Sequence, residues 1–206
     1  MTDKLKENNG ILLQGHIKIH DPKTGEVLIN KRNAIHYENM SVSLAESIAN
    51  AGLGQGPIYE MSFGNGGTTV DPTGVITYLT PNSTGTNASL YNQTFSKVVD
   101  DRSTNNTDPV RNKLETRHVT GTNYTDVLVT CLLDYGEPDG QDAFDTAADA
   151  ESLYVFDELG LRAYGDNSDG RLLTHVIFHP IQKSLNRLIQ IDYTIRIQSL
   201  TGFNEG

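Results

Sequence analysis

The sequence has one cysteine, no tryptophan and no hydrophobic run long enough to cross a membrane. Because Cys131 is the only cysteine, no disulfide can form within the chain. Its place in the apolar run VLVTCLL predicts a small buried side chain and not a nucleophile. The N-terminus MTDKLKENNG is polar and lacks the apolar segment of a secretory signal, so we expect synthesis in a cytoplasm.

Positive charge is also scarce. The 206 residues include 16 Lys and Arg against 26 Asp and Glu, a formal net charge of −10, and the longest basic cluster is Lys31-Arg32. Contacts to phosphates need clustered Lys and Arg, so we expect no nucleic-acid partner. Hydrophobic residues make up 36% and glycines number 19. This composition is typical of an all-β protein with long connections, which buries part of its surface against partner chains.

Strict alternation of apolar and polar residues indicates half-buried strands. The clearest case is RLIQIDYTIRIQ, where one face carries Ile189, Ile191, Tyr193, Ile195 and Ile197. Near the other end, residues 11–20 alternate, and the apolar segment 26–30 follows as a second strand after Asp21-Pro22-Lys23-Thr24-Gly25. Proline and glycine suit a tight turn there, so this segment predicts a β-hairpin.

Seven further strands are predicted from their apolar content and flanking turns. They span residues 57–63, 75–79, 91–99, 110–119, 124–135, 153–164 and 172–181. The interspersed charges of 110–119 favour an edge strand. Gly160 is a candidate bulge, and Pro180 is expected to stop the strand that contains it.

Residues 39–51 change to a helical period. Apolar side chains recur there at spacings of four and three, at Met40, Leu44, Ile48 and Ala51. Ser43 with Glu46 resembles a capping box, while Asn39 and Ser41 are alternative N-caps. Gly52 suits the residue after the helix. We predict one amphipathic helix that lies on a sheet.

Strands without intervening helices favour a sandwich or a barrel. We therefore predict an all-β fold, a jelly-roll-like antiparallel β-sandwich with one amphipathic helix near residues 39–51. Residues 1–10 are expected to form a polar N-terminal arm, and residues 11–206 a single sandwich domain with long loops. A helical turn around Phe144 is expected within the acidic loop 136–151.

The segment MSFGNGGTT places glycines at Gly64, Gly66 and Gly67, in the manner of a phosphate-binding loop. A dinucleotide fingerprint needs a third spaced glycine, but Thr69 occupies that place. A P-loop needs a Gly-Lys-Ser/Thr ending, and no lysine occurs between Lys31 and Lys97. Both motifs also need a following helix. The segment is therefore interpreted as a strand end at which the backbone turns sharply into a flexible loop.

Two patterns resemble metal sites without meeting their requirements. The segment 166–170, DNSDG, lacks the acidic residues of an EF-hand, since Gly165 and Val176 stand where those residues are needed. It predicts a turn. His16 with His20, and His175 with His179, are each four residues apart on predicted strands. That spacing separates the two imidazoles of a pair by roughly 13 Å, too far to share an ion.

No nucleophile motif is present, and paired carboxylates such as Asp157-Glu158 are more often solvated than catalytic. We therefore predict no catalytic, cofactor-binding or metal-ligating residue, no cofactor, and a protein that is not an enzyme.

Two stretches together resemble structural proteins of tailed-bacteriophage virions. They are GHIKIHDPKTGEVLINKRNAIHYENMSVSLAESIANA, residues 15–51, and IYEMSFGNGGT, residues 58–68. The resemblance covers about the first third of the chain, and YVFDELGLRA and the closing THVIFHPIQKSLNRLIQIDYTIRIQ are consistent with it. It implies a scaffold without a catalytic signature, in the tail, neck, collar or baseplate class.

These observations predict a virion subunit, made in the host cytoplasm, that binds copies of itself and other virion proteins and no membrane. The expected contacts are the arm 1–13, the loops 80–90 and 100–112, and the acidic loop 136–151. The alternatives are a capsid decoration protein and a carbohydrate-binding or glycan-cleaving sandwich of the phage tail. The carbohydrate alternative requires Tyr59, Tyr78 and Tyr91 to converge with acidic residues in a groove. A third option is a calcium-dependent adhesion module.

Overall fold

The computed structural model describes residues 8–48, 58–85, 87–139, 153–165 and 170–202, which contain eleven strands and one helix. In chain order these are β1 (Asn8–His20), β2 (Val27–Ile35), α1 (Tyr37–Ile48), β3 (Glu60–Gly64), β4 (Thr68–Val70), β5 (Ile76–Tyr78), β6 (Gln93–Val98), β7 (Lys113–His118), β8 (Tyr124–Leu133), β9 (Leu153–Arg162), β10 (Thr174–Ser184) and β11 (Ile189–Gly202).

Nine of these strands form one curled antiparallel sheet in the order β6-β3-β9-β10-β2-β1-β11-β8-β7, and β4 and β5 form a separate ribbon. The sheet has a narrow joint, because β10 and β2 pair only at Thr174–Ile35 and His175–Ala34. We call the strands on either side the β9 half (β6, β3, β9, β10) and the β11 half (β2, β1, β11, β8, β7). One hydrophobic core draws residues from both halves, which confirms the predicted all-β, sandwich-like fold with one helix.

The β11 half follows the sequence alternation closely. β1 and β11 pair without interruption from Asn8–Gly202 to His20–Gln190. Inward positions such as Ile17, Ile19 and Ile191 are fully buried, and the residues between them face outward. β7 lies at the sheet edge as predicted, and its charged side chains discourage pairing with a further strand.

The β9 half is buried on both faces, so its strands lack a simple alternation. In β9 the core residues are Tyr154 and Phe156, and then Leu159 and Leu161. The inward phase therefore shifts by one residue at Asp157-Glu158. The predicted bulge at Gly160 is wrong, because the ladder with β10 is irregular between Ile177 and Ile181, which face Glu158 and Phe156.

Two other details of the β9 half differ from the sequence prediction. Pro180 does not end its strand, since β10 continues to Ser184. Pro180 lies in the irregular part of the ladder with β9, where its missing N–H breaks no pairing, and the ladder resumes at Ile181. Part of the loop expected after Gly67 is strand, because Thr68–Val70 pairs with Ile76–Tyr78.

The helix begins two residues before the predicted start, and its cap is a residue that the prediction did not consider. His36 Nδ1 accepts a hydrogen bond from the Asn39 backbone N–H at 3.2 Å, and the His36 carbonyl accepts one from Met40. Asn39 instead uses its side-chain amide to bind the Leu172 carbonyl at 2.9 Å. The predicted caps are therefore wrong, and buried His36 satisfies the helix N-terminus.

Several predictions fall outside the described residues. They are arm residues 1–7, the helix end beyond residue 48 with Gly52, the turn at residues 166–169, and the helical turn around Phe144. The last three residues of the predicted arm, 8–10, lie in β1. The predicted hairpin is confirmed, with Asp21 Oδ1 accepting the backbone N–H groups of Lys23 and Thr24 in its turn.

Candidate functional site

The glycine segment binds anionic groups through its backbone, but these groups belong to the protein itself. The Gly67 and Thr68 N–H groups donate to the Asp157 carboxylate at 2.8 and 2.9 Å, and the Thr68 hydroxyl also donates to it. The Gly66 N–H donates to Glu158 Oε1 at 3.2 Å. The loop therefore acts as a carboxylate cradle, since the amides that a phosphate would need are already occupied.

The glycines are required because the chain passes so close to its neighbours. A Cβ on Gly64 would lie 2.3 Å from the Asn92 carbonyl oxygen and 2.5 Å from Glu158 Oε1. A Cβ on Gly66 would lie 2.7 Å from the Asn92 nitrogen. The sharp turn predicted from the sequence is not what requires glycine here, because Gly64, Gly66 and Gly67 are not among the described glycines with positive φ. The missing Cβ instead permits the close approaches that let the loop reach the carboxylates.

Glu158 is the centre of the polar cluster below the loop. It is fully buried, and its two oxygens also accept the backbone N–H groups of Tyr91 at 2.9 Å and Asn92 at 2.8 Å. His175 Nε2 lies 2.9 Å from Glu158 Oε2, and His175 Nδ1 lies 2.8 Å from the Asn82 nitrogen. Because the Asn82 N–H can only donate, Nδ1 is unprotonated and Nε2 carries the hydrogen that Glu158 accepts. The pair is therefore a neutral imidazole bonded to a carboxylate.

Burial and hydrogen bonding act in opposite directions on the two carboxylates. Burial dominates at Asp157 and raises the pKa of its carboxyl, although the Thr68 hydroxyl and the Gly67 N–H oppose this. Burial also acts to raise the pKa of Glu158, but the hydrogen bonds from His175, Asn92 and Tyr91 outweigh it and leave that pKa lowered. Glu158 is therefore held as a carboxylate by its donors.

The same cluster holds the described residues of the connection between β5 and β6, 79–85 and 87–92, which we call the strap. Besides the contacts to Glu158 and His175, the Gly85 carbonyl accepts a hydrogen bond from His36 Nε2 at 2.9 Å. Buried Arg162 donates to the Ser89 hydroxyl at 2.6 Å. The strap, expected to be a contact loop, is thus fixed onto the outer face of the β9 half.

This arrangement is suited to holding the fold and not to proton transfer with a ligand. The Glu158 and His175 side chains are both wholly inaccessible to solvent, and each polar atom already has a protein partner. The sequence analysis weighed Asp157-Glu158 as a catalytic pair of carboxylates and preferred a solvated pair, whereas the structure buries both residues. In LYVFDELGLRA the spacing of the apolar residues changes at Asp157-Glu158, and this break in the alternation is the sequence signal that could have located the cluster. It leaves both acidic residues facing away from the core.

The remaining candidate residues do not come together. Within the described ranges, no group of three His, Cys, Asp or Glu side chains is placed to hold a metal ion. His20 Nε2 is bonded to Asp192 at 2.9 Å. His175 is buried, while exposed His179 Nδ1 lies 3.2 Å from the Tyr78 hydroxyl. The acidic part of the candidate calcium turn, residues 166–169, lies outside the described residues.

Cys131 and one of the three candidate tyrosines are buried, and the other two tyrosines are exposed. Burial raises the pKa of the Cys131 thiol to about 12, and the side chain packs in the core, which confirms the sequence interpretation. Tyr59 is buried, stacks edge-on against Tyr164 at 5.0 Å and cannot line an open groove. Tyr78 and Tyr91 are exposed, so two of the three candidate sugar-binding rings remain accessible.

A second buried polar cluster fixes the start of the acidic loop. The Lys183 ammonium is fully buried and donates to the carbonyls of Asp134, Glu137 and Ser184 at 2.9, 2.6 and 2.9 Å. Lys97 binds the Glu137 carboxylate and, at 2.8 Å, the Leu132 carbonyl. Residues 134–137 are therefore held by two lysines that reach across from the β9 half.

The loop 100–112 is also ordered by its own polar side chains. The buried Asn106 amide donates to the carbonyls of Asp100 and Asn112, and the Asn112 side-chain oxygen accepts the Leu132 N–H at 2.9 Å. Its outer residues remain open, with Val110 the most exposed large hydrophobic side chain described, at 76%.

The accessible features of the described residues are an exposed ribbon and two surface cavities. The ribbon β4–β5 exposes Val70, Val75 and Tyr78. A surface cavity of about 420 Å³ lies on the outer face of the β11 half, and one of about 400 Å³ lies beside Ile11 and Ile197.

Among the described residues the single helix, α1, is 12 residues long, and no helix there is long and apolar enough to cross a membrane. Comparison with known proteins gives no match to any family model, curated protein or solved structure.

Proposed function

We propose that this chain is a non-enzymatic structural subunit of a bacteriophage virion, a tail, neck, collar or baseplate component that assembles as a homo-oligomer. In this proposal it is made in the host cytoplasm, and its partners are its own copies and other virion proteins, not nucleic acid or membrane. The resemblance of residues 15–51 and 58–68 to virion proteins supports the class.

The observation that carries the proposal is the ribbon β4–β5. A free two-stranded ribbon is marginally stable in water, yet this one is braced by Asp71, whose Oδ1 accepts the N–H groups of Thr73 and Val75 at 2.8 and 3.0 Å. It nevertheless leaves Val70 and Val75 63% and 58% exposed. A shaped projection with exposed apolar side chains is typical of a surface that another chain covers.

The polar clusters are consistent with a structural role. Among the described residues, the set that most resembles an acid–base group is Asp157, Glu158 and His175. These side chains form their hydrogen bonds with the glycine loop, with the strap and with one another. General acid–base catalysis needs a group that can reach a substrate proton, and these side chains face protein atoms.

Two measurements test the proposal. Mass photometry of the purified full chain should show a discrete oligomer, and mass spectrometry should find the chain in purified particles of the phage that encodes it. A chain that is strictly monomeric and absent from particles contradicts the proposal. Immunogold labelling of intact particles separates a tail, neck or baseplate position from the alternative of capsid decoration.

A carbohydrate-binding role is the second candidate, favoured by exposed Tyr78 and Tyr91. Both rings lie along β10, since the Tyr91 ring is tilted against His175 with a centroid distance of 5.7 Å and the Tyr78 hydroxyl contacts His179. A glycan array with wild type and Tyr78→Ala/Tyr91→Ala tests it. Binding that is lost in the variant supports a sugar site, and an array without hits contradicts it.

A further inference from the structure

The outer face of the β11 half has a charge of the opposite sign to the whole chain. Strand residues on this face include five cations, Lys18, Arg32, Lys113, Arg117 and Arg196, and three carboxylates, Glu115, Asp126 and Asp192. Subtracting them from the chain totals of 16 Lys and Arg and 26 Asp and Glu leaves 11 and 23 elsewhere. The face is therefore net positive on a strongly acidic protein.

A cavity of about 420 Å³ opens on this face. The ladder registers place Arg32, His16, Thr194 and Leu128 side by side on four successive strands. The next row runs through Arg196 and Asp126 to Arg117. We call the surface formed by Arg32, His16, Thr194, Leu128, Arg196 and Arg117 the basic trough. Four strand spacings separate Arg32 from Arg117, about 19 Å, which is wide enough to seat a helix or a ribbon.

The charges of the basic trough are only partly neutralised by the protein. Arg196 forms a bidentate ion pair with Asp126, with both N–O distances 2.8 Å. Its guanidinium also lies over the ring of Tyr124. Arg117 has only a 3.5 Å contact with Glu115 and is 67% exposed. In the described part of the chain, Arg32 and His16 have neither an ion-pair nor a hydrogen-bond partner. The two rims of the trough therefore present cationic groups to whatever approaches.

We infer that the basic trough is the docking site for an acidic surface of a second copy of this chain. Charge complementarity carries the inference, because each copy has a net positive face and a large carboxylate excess elsewhere. Two basic troughs would repel each other, so the contact joins unlike surfaces of the two copies. Repeated contacts of this kind close into rings when the rotation permits.

The inference deepens the proposed function and rests on it. The test compares Arg32→Glu/Arg117→Glu with Lys23→Glu/Arg171→Glu, two double variants of the full chain with identical net charge. Lys23 and Arg171 are exposed residues outside the trough and outside the expected contact segments. We expect an apparent dissociation constant at least about tenfold higher for the trough variant only, since two favourable charge contacts become repulsive.

Salt and mixing provide two further readouts. Raising the salt from about 0.1 M to about 1 M shortens the Debye length from about 10 Å to about 3 Å and should weaken wild-type association. The trough variant keeps its acidic surface, so it should bind the trough of a wild-type chain. Because its own trough is altered, it should then block further growth and shorten wild-type assemblies when the two are mixed. The control variant should join those assemblies normally.

The outcomes separate this inference from the proposed function. If wild type and the trough variant associate equally well, the trough is not the interface, although the structural role stands. If wild type is monomeric and absent from particles, both fail. If a sulfated oligosaccharide binds wild type but not the trough variant, and the trough variant assembles normally, the trough is a glycan site and the inference is overturned.

Discussion

The two halves of the curled sheet use their polar residues in opposite ways. In the β11 half, the charged side chains of the outer face meet solvent, and the hydrophobic core lies on the opposite face. In the β9 half, the glycine loop and the strap cover the outer face, so Glu158 and His175 are as buried as the core isoleucines. Carboxylates should therefore matter to stability far more in the β9 half, where no water can replace a lost partner.

The largest effect is expected for Glu158→Ala. The substitution leaves the N–H groups of Tyr91, Asn92 and Gly66, and His175 Nε2, without their acceptor. Unfolding in urea should show a loss of about 3–5 kcal/mol, because buried donors stay unsatisfied. Glu46→Ala, at an exposed position of α1, is the control and should change stability by less than about 1 kcal/mol. Equal losses would mean that the strap does not depend on Glu158.

A smaller loss is expected for Gly64→Ala. The new Cβ would meet the Asn92 carbonyl oxygen at 2.3 Å, so the loop must move away from the carboxylates at a cost of about 1–3 kcal/mol. Gly10→Ala in the β11 half is the matched control, since its Cβ would find its nearest atom at 3.9 Å. Thermal melts of the two variants compare them. A Gly64 variant as stable as wild type would show that the cradle can relax.

The third prediction concerns pH. Burial lowers the pKa of the Lys183 ammonium to about 8, against 10.5 for an exposed lysine. Between these values the unfolded chain binds more protons than the folded one, so this group's contribution to stability rises with pH and is lost again as the pH falls through about 8. The difference in unfolding free energy between wild type and Lys183→Met should grow by about 1–3 kcal/mol across that window. If the unfolding free energies of the two proteins changed in parallel with pH, the lowered pKa of Lys183 would be contradicted.

The smallest effect is expected on the outer face of the β11 half. Asp126→Asn weakens the pair with Arg196, whose side chain is 39% exposed, and should cost less than about 1 kcal/mol. Urea unfolding of Asp126→Asn and Glu158→Ala under the same conditions compares the two losses in unfolding free energy. A loss at Asp126 as large as that at Glu158 would mean that the two halves do not differ as described.

Sequence reasoning succeeded where one face of a strand meets water. The alternation at residues 11–20 and 189–198 located β1 and β11, and the charges of residues 110–119 located the edge strand β7. It failed where a loop covers a strand. The irregularity beside Asp157 and the continuation of β10 past Pro180 depend on the pairing of β9 with β10. The capping role of His36 depends on the Gly85 carbonyl, which binds Nε2 and leaves Nδ1 as the acceptor.

The glycine segment likewise has one property that the sequence predicts and one that depends on distant residues. From MSFGNGGTT alone it follows that the segment lacks the lysine and the following helix of a nucleotide loop, and that its glycines serve backbone geometry. The sequence could not indicate what the loop encloses, because Asp157 and Glu158 lie about ninety residues away in the chain.

The sequence by itself determined the all-β class, the single helix and the strands of the β11 half, because local alternation against solvent is enough to encode them. Only the tertiary structure decided which polar residues are buried together and which remain free. Burial of a carboxylate depends on donors brought from distant segments, as at Glu158. The basic trough likewise exists only because β2, β1, β11, β8 and β7 lie in that order, which brings Arg32 and Arg117 to opposite sides of one face.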